Sequence, residues 1–252
     1  MGWIFEREEY GAWQSSSVSL LLLLRGIRRC STSAGRTLGL PIRLAGAGKT
    51  YVASKVIDSF LSDSSSRGFA YFYCNRAEGN RRDPESIMSA LVHQLAQTES
   101  EEPYNLARPV IDLYEKREKR GQKSSRLSVT ESQELLVQLV KKYPETMICI
   151  DALDEVEHEI RIKLLKALKY VIGSSTKVKI FATTRMDTDI LLQFEMFPKI
   201  ELQPNDNVDD INRFINTQIQ TAIEDKQLLH GVVPDELKDK ICKVLHVRSK
   251  GM

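Results

Sequence analysis

The stretch Gly46-Ala47-Gly48-Lys49-Thr50 constrains this chain more than any other. It is the second half of a phosphate-binding pattern, G-x-x-x-x-G-K-[ST], which works only between a strand and a helix. Glycines let backbone N–H groups close around phosphate oxygens with no Cβ in the way. The lysine directs a point charge at the outer phosphates, and the threonine hydroxyl is a Mg2+ ligand. A following helix aims its positive end at the anion. Tyr51 to Leu61 carries that helix's pattern, with Val52, Val56 and Phe60 on one stripe and Ala53, Ile57 and Leu61 beside it. The pattern is incomplete. Its first glycine belongs five residues before Gly48, where Arg43 stands. An arginine Cβ restricts the dihedrals such a loop needs. Taken alone, the stretch also reads as a glycine-rich turn that happens to precede Lys-Thr.

With 252 residues and 42% hydrophobic content, the chain has apolar material for a sizeable core. Its formal charge of +2 implies neither an acidic nor a strongly basic partner. The most basic stretch, Lys116 to Arg126, is broken by Glu118 and has no interleaved aromatic. It reads as a solvated loop, so no nucleic acid partner is expected. Cys30, Cys74, Cys149 and Cys242 lie too far apart for metal-ligand spacing, and Cys149 sits in an apolar run as a buried thiol. Such usage fits a reducing, cytoplasmic compartment. The longest apolar run, Leu20 to Leu24, is far short of the roughly 20 residues a spanning helix needs. Glu6, Glu8 and Glu9 before it argue against a signal peptide. The run is a buried strand, and no membrane partner is expected.

Residues 1–17 form a lead-in segment whose Trp3, Phe5, Tyr10 and Trp13 pack on the domain edge. Residues 18–204 form the core. Its strands are expected at Val18–Arg25, Gly68–Cys74, Met147–Asp151, Val178–Thr183 and Lys199–Leu202. A helix starts at Asp83-Pro84-Glu85, with Ile87, Met88, Leu91 and Leu95 inward and His93 solvated. Others run over about 104–119, from a capping box at Thr130–Gln133, over 157–172 and over 187–194. The helix at 157–172 turns Ile160, Leu164, Leu168 and Val171 inward and stops at Gly173. Residues 205–252 are a helical extension, with helices over 208–223 and 234–247. Strands alternate with helices, so the expected class is α/β: a parallel sheet of P-loop NTPase type with helices on both faces.

Met147-Ile148-Cys149-Ile150-Asp151 is an apolar strand ending in an acid. Ligands of open α/β sheets bind beyond the carboxyl ends of strands, which places Asp151 to meet Mg2+. Asp154 and Glu155 follow, and one of them could orient an attacking water. Alone, these acids also read as a turn capping the next helix. Thr183, Thr184 and Arg185 end another strand, and Arg185 could reach a terminal phosphate.

Lys49-Thr50, Asp151-Ala-Leu-Asp-Glu155 and Thr183-Thr184-Arg185, in this order, resemble the nucleotide-binding module of NACHT-type (STAND) signalling ATPases. The chain is most similar to the fungal group with a nephrocystin-like N-terminal NTPase module. Ala70-Tyr-Phe-Tyr-Cys74 and Asp209-Asp210-Ile211 support the resemblance. It implies a switch that binds ATP or GTP with Mg2+, hydrolyses it slowly at best, and passes between closed and self-associating forms. It implies an effector before the module and ankyrin or WD repeats after it, with a further helix and a winged-helix domain beyond Met252. By position, Gly46, Ala47, Gly48, Lys49 and Thr50 hold phosphate, Thr50 and Asp151 hold Mg2+, Asp154 and Glu155 polarise water, and Arg185 senses the nucleotide. Arg43 in place of the first glycine, and Met186 where proline is common, depart from the pattern. A nucleotide-free scaffold or interaction module of the same fold is the alternative reading. A nucleotide-using metabolic enzyme is weaker, because no second substrate site is recognisable.

The departure at Arg43 has a specific explanation. If one proline replaced residues 28–45, the chain would read Leu24-Arg25-Gly26-Ile27-Pro-Gly46-Ala47-Gly48-Lys49-Thr50. Gly26 would then be the first loop glycine, and the strand would feed straight into the loop. Codons permit this. CGT at Arg28 supplies a GT donor, an A-ending Leu44 codon followed by GCN supplies an AG acceptor, and the joined codon CCN is proline. Residues 28–45 are therefore expected to be a non-native insert, a read-through intron that weakens nucleotide binding. Transcript sequencing checks this: a spliced message lacking these codons is expected, and genomic codons without the GT and AG would remove the idea.

Overall fold

The computed structural model describes residues 2–26, 48–62, 67–97, 106–121, 126–174, 177–203, 206 and 208–249. The expected insert at 28–45 lies outside them, as do Gly46 and Ala47. The chain divides into two compact units. The larger draws on Arg7–Arg28 and Lys49–Glu201, and the smaller includes Leu202–Met252.

In chain order the larger unit holds α1 (Glu8–Ser15), β1 (Leu20–Gly26), α2 (Lys49–Leu61), β2 (Gly68–Tyr73), α3 (Gly79–Arg82) and α4 (Pro84–Ala96). It continues with α5 (Arg108–Lys119), α6 (Val129–Val140), β3 (Thr146–Asp151), α7 (His158–Gly173), β4 (Val178–Thr184), α8 (Thr188–Gln193) and β5 (Lys199–Leu202). The strands make one parallel sheet in the order β2-β3-β4-β1-β5. The α/β class follows. Every residue of β3 and β4 is buried, as are Leu21 to Leu24 of β1. This is why β1 and β3 read as apolar runs without alternation, and why even Lys179 of β4 is buried, paired with Glu145 at 3.2 Å: both faces of the sheet are covered.

Side chains still alternate between the faces. Leu21, Leu23, Ile148, Ile150, Ile180 and Ala182 join one core with Ile87, Leu91, Leu136, Leu139, Leu164 and Leu168 of α4, α6 and α7. On the opposite face Phe181 meets Trp13 and Tyr10 of α1, with ring centroids 6.0 and 6.4 Å apart. Trp13 also donates its indole N–H to the Leu20 carbonyl at 3.2 Å. Phe60 of α2 stacks on Phe69 of β2. Strand β2 lies at the sheet edge, and the Gln94 side chain caps it there, accepting from Tyr71 N and donating to Tyr71 O, each at 2.9 Å. A side-chain amide thereby fills ladder positions that would otherwise template another strand.

Some elements differ from expectation. Leu61 is exposed and leaves the buried stripe of α2 to Val52, Ala53, Val56, Ile57 and Phe60. Helix α6 begins two residues earlier than its expected box, capped by Ser128 with Glu131. Ser128 Oγ accepts from Glu131 N at 3.2 Å, and the Glu131 carboxylate accepts from Ser128 N at 2.9 Å. In α7 Ile160 is half-buried, and Arg161 is buried beside it. The one-turn α3 carries no apolar periodicity and was not anticipated.

The smaller unit contains α9 (Val208–Glu224) and α10 (Asp235–Ser249), which pack on each other. Lys238 donates to Gln220 Oε1 across that pair at 2.9 Å. Among the described residues no helix is long and apolar enough to cross a membrane.

Candidate functional site

The carboxyl ends of β1, β4 and β3 lie side by side, with Arg25 in register with Thr184. Strand β3 ends in Asp151, which is buried. Thr183 at the end of β4 donates its hydroxyl to Asp151 Oδ1 at 2.5 Å and accepts from Ala152 N at 2.9 Å. Ala152 has φ 57° and ψ 52°, a left-handed conformation that costs a non-glycine residue about 1–2 kcal/mol. The bond from its N–H to Thr183 helps to hold it there. The turn reverses the chain into a one-turn helix, Leu153–Glu155, which carries the other two acids back toward β4.

Arg185 meets both of them. Asp154 Oδ1 accepts from Arg185 N at 2.8 Å, and Asp154 Oδ2 lies 3.2 Å from Arg185 Nε. Glu155 Oε1 accepts from Arg185 Nη2 at 2.9 Å. Arg76, in the loop after β2, donates Nη2 to the Asp154 carbonyl at 2.7 Å and brings Nε to 3.8 Å from Glu155 Oε2.

Lys49, the first residue of α2, points into the same place. A Cβ built on Gly26 would lie 3.2 Å from Lys49 Nζ, so the end of β1 and the lysine ammonium are in contact. Gly48 adopts φ 77°, the left-handed region that glycine enters without strain. Thr50 is exposed.

Burial holds the Lys49 ammonium below its ordinary value, and Asp154 draws it back up. Arg185 lowers it further, while Asp151 and Glu155 oppose that. Burial raises the Asp154 carboxyl above the usual carboxylate range, against the bond from Arg185 N–H and the charges of Arg185 and Lys49. Burial thus disfavours both charges, and each is stabilised by the other.

The structure therefore brings Gly26, Lys49, Asp151, Asp154, Glu155 and Arg185 together, and leaves Gly46 and Ala47 outside the described residues. Two arginines went unanticipated. Arg76 lies in a loop with no pattern of its own. Arg161 lies inside the apolar stripe of α7, 1% exposed. It donates Nε and Nη2 to the Val156 carbonyl at 3.2 and 3.0 Å, and Nη2 to the Asp154 carbonyl at 3.0 Å. Its Nη1 bonds Asp187 and Asp189, each at 3.0 Å. The readable signal was an arginine among Leu164, Leu165 and Leu168, with two aspartates at the start of a later helix. Among the described residues no cluster of three or more His, Cys, Asp or Glu side chains could hold a metal by itself.

The family profile described as "Nephrocystin 3, N-terminal" matches residues 42–185. Among curated proteins, none matches the chain. Solved structures that it resembles include Drosophila ORC bound to DNA, with 13% identity and a TM-score of 0.46 over 95% of this chain and 49% of that chain. This chain thus spans about half the length of that protein. A Walker-type ATPase of Pyrococcus abyssi is similar at 18% identity, with a TM-score of 0.48 over 98% of this chain and 67% of that one. Drosophila ORC bound to AT-rich DNA and Cdc6 is similar at 10% identity, with a TM-score of 0.39 over 92% and 76%.

The raised Asp154 carboxyl makes a prediction. The folded state binds that proton more tightly than the unfolded chain does. Stability contributed at this site therefore falls as pH rises from the ordinary aspartate value through the folded one. Asp154→Asn removes the titration. Urea midpoints measured between about pH 4 and 7 should show the variant gaining on the parent as pH rises. A constant difference across that range would contradict the assignment.

Proposed function

The chain belongs to the nephrocystin 3 N-terminal family, and from that premise we propose that it is the nucleotide-binding module of a cytoplasmic NACHT-type signal-transducing NTPase. The observation that carries the reading is the convergence of Lys49, Asp151, Asp154, Glu155 and Arg185 at three neighbouring strand ends. ATP or GTP is the ligand class. The module works as a switch with slow hydrolysis at best, and its partners are the nucleotide, further copies of the chain, and effector and repeat domains.

In this reading Lys49 contacts the outer phosphates. An incoming phosphate adds negative charge beside an ammonium that burial disfavours. Arg185 is shared between Asp154 and Glu155, and a terminal phosphate competes with both acids for it, which makes the arginine a sensor. Glu155 and Asp154 lie beyond Asp151 and are suited to accept a proton from an attacking water.

Mg2+ fits the donor set. Thr50 and Asp151 offer a hydroxyl and a carboxylate, hard oxygen ligands of the kind this ion takes alongside waters and phosphates. No described protein cluster holds a metal alone, so the ion would arrive with nucleotide. When bound, it neutralises phosphate charge.

The contact between Gly26 and Lys49 also supports the insert reading of residues 28–45. With that segment replaced by one proline, Gly26 is the first loop glycine, and it stands beside the lysine. A nucleotide-free scaffold remains the second reading, because Arg43 occupies the first glycine position of the chain as written.

Lys49→Ala is expected to abolish binding of a fluorescent nucleotide in Mg2+ titrations. Unchanged affinity would mean that the site lies elsewhere. Glu155→Gln is expected to lower turnover by about tenfold or more while affinity stays within a few-fold. Equal loss of both would assign Glu155 to ground-state binding instead.

A further inference from the structure

We infer that Arg161 is a positioning residue that sets the placement of the acidic loop relative to the loop bearing Arg185. The inference rests on the nucleotide-hydrolysing reading above. Its ground is the unusual use made of one side chain. Position 161 lies in the buried stripe of α7, next to Leu164 and Leu165. Packing alone calls for a leucine there, because burying a guanidinium carries a desolvation penalty that apolar residues avoid. The penalty is offset only if every arm of the fork finds a partner, and here every arm does.

One side of the guanidinium holds the acidic loop by its backbone. Nη2 reaches the carbonyls of Asp154 and Val156, each at 3.0 Å, and Nε reaches Val156 O at 3.2 Å. The Asp154 carbonyl also accepts from Arg76 at 2.7 Å, so two guanidinium donors fill its two lone pairs. The acid's own backbone is pinned, and its carboxylate is left to face Arg185 and Lys49. The other side of the fork holds the start of α8, just after Arg185. Nη1 bonds Asp187 and Asp189. Asp187 N donates to the Arg185 carbonyl at 2.8 Å, so the anchor lies two residues from the proposed sensor. Among the described residues Arg161 directs its hydrogen bonds and ion pairs to two backbone carbonyls and to Asp187 and Asp189, not to the side chains proposed to meet nucleotide. It fixes the separation of the two backbones that carry them, and displacement of about 1 Å at such a site can cost two orders of magnitude in rate.

A lysine at this position keeps the charge and loses the fork. Arg161→Lys should therefore cut single-turnover hydrolysis of Mg2+-nucleoside triphosphate by at least about tenfold. Affinity for Mg2+-nucleoside diphosphate should stay within about threefold, because Lys49 and its helix are untouched. Leu168→Ala, a core change on the same helix, serves as the stability control and should lose folding midpoint without that split. If Arg161→Lys does not fold, the Asp187→Asn, Asp189→Asn double variant frees the Nη1 arm and should show the same split at smaller size. Turnover within threefold of the parent in a folded Arg161→Lys overturns the inference. So does a parallel fall of turnover and affinity that follows stability as in Leu168→Ala. A parent that binds nucleotide without hydrolysing it overturns the inference alone, since no water-activating loop then needs placing. A parent that binds none overturns the nucleotide reading of the chain as written and favours the nucleotide-free scaffold.

Discussion

The hydroxyl of Thr183 is the contact on which the candidate site depends. It sits 2.5 Å from Asp151 Oδ1 and takes the Ala152 N–H on its other side. A buried carboxylate without a donor costs far more than one hydrogen bond returns. A left-handed alanine likewise persists only when its surroundings hold it. One hydroxyl addresses both. From that turn the acidic loop folds back, and Asp154 meets the Arg185 backbone. Strand pairing between β3 and β4 supplies the geometry, because Thr183 and Asp151 belong to adjacent strands.

The charges around that turn balance imperfectly, and the imbalance has a direction. Burial disfavours the Lys49 ammonium and the Asp154 carboxylate alike. Arg185 is half-exposed and shared between two acids, whereas Arg161 is enclosed. The site thus has two exposed cations at its mouth, Arg185 and Arg76, a half-buried one against β1, Lys49, and an enclosed one behind it, Arg161. A polyanion approaching from the strand ends meets Arg185 and Lys49 while Arg161 keeps the acids in place. Arg161 also shows why a buried ion pair is weak grounds for stability: its structural return is the alignment of two loops.

Much of this was legible in the sequence because the sheet is covered on both faces. Leu20 to Leu24 and Met147 to Ile150 announce themselves as apolar runs, Val178 to Thr183 is apolar around Lys179, and the acids and the arginine fall at the ends of the last two. What escaped was decided by tertiary contact. Two cap patterns compete at the start of α6, Ser128 with Glu131 and Thr130 with Gln133. Local propensity does not separate them. Arg117 does, by binding Glu131 at 3.0 and 3.1 Å and holding it where it can cap Ser128. Leu61 fits its helix's period but lies at the helix end, where no facing element covers it. Arg161 was hidden for the opposite reason. Its partners are two backbone carbonyls and two aspartates more than twenty residues away, and no helical period encodes those.

The connection between Gly26 and Lys49 separates fold from function. Their side-by-side placement means that the chain leaves β1 and returns to nearly the same point after 22 intervening residues, 27–48. Without residues 28–45 and with one proline in their place, about five would intervene. Loop-closure entropy grows only with the logarithm of length, so the longer connection costs roughly 1 kcal/mol more. A sheet with β1 buried between β4 and β5 tolerates that easily. A phosphate loop tolerates it far less well, because it binds through consecutive backbone N–H groups whose dihedrals are set by the strand on one side and the helix on the other. An insertion at this point therefore leaves the sheet, the acidic loop and the arginines standing while removing one flank of the phosphate cradle.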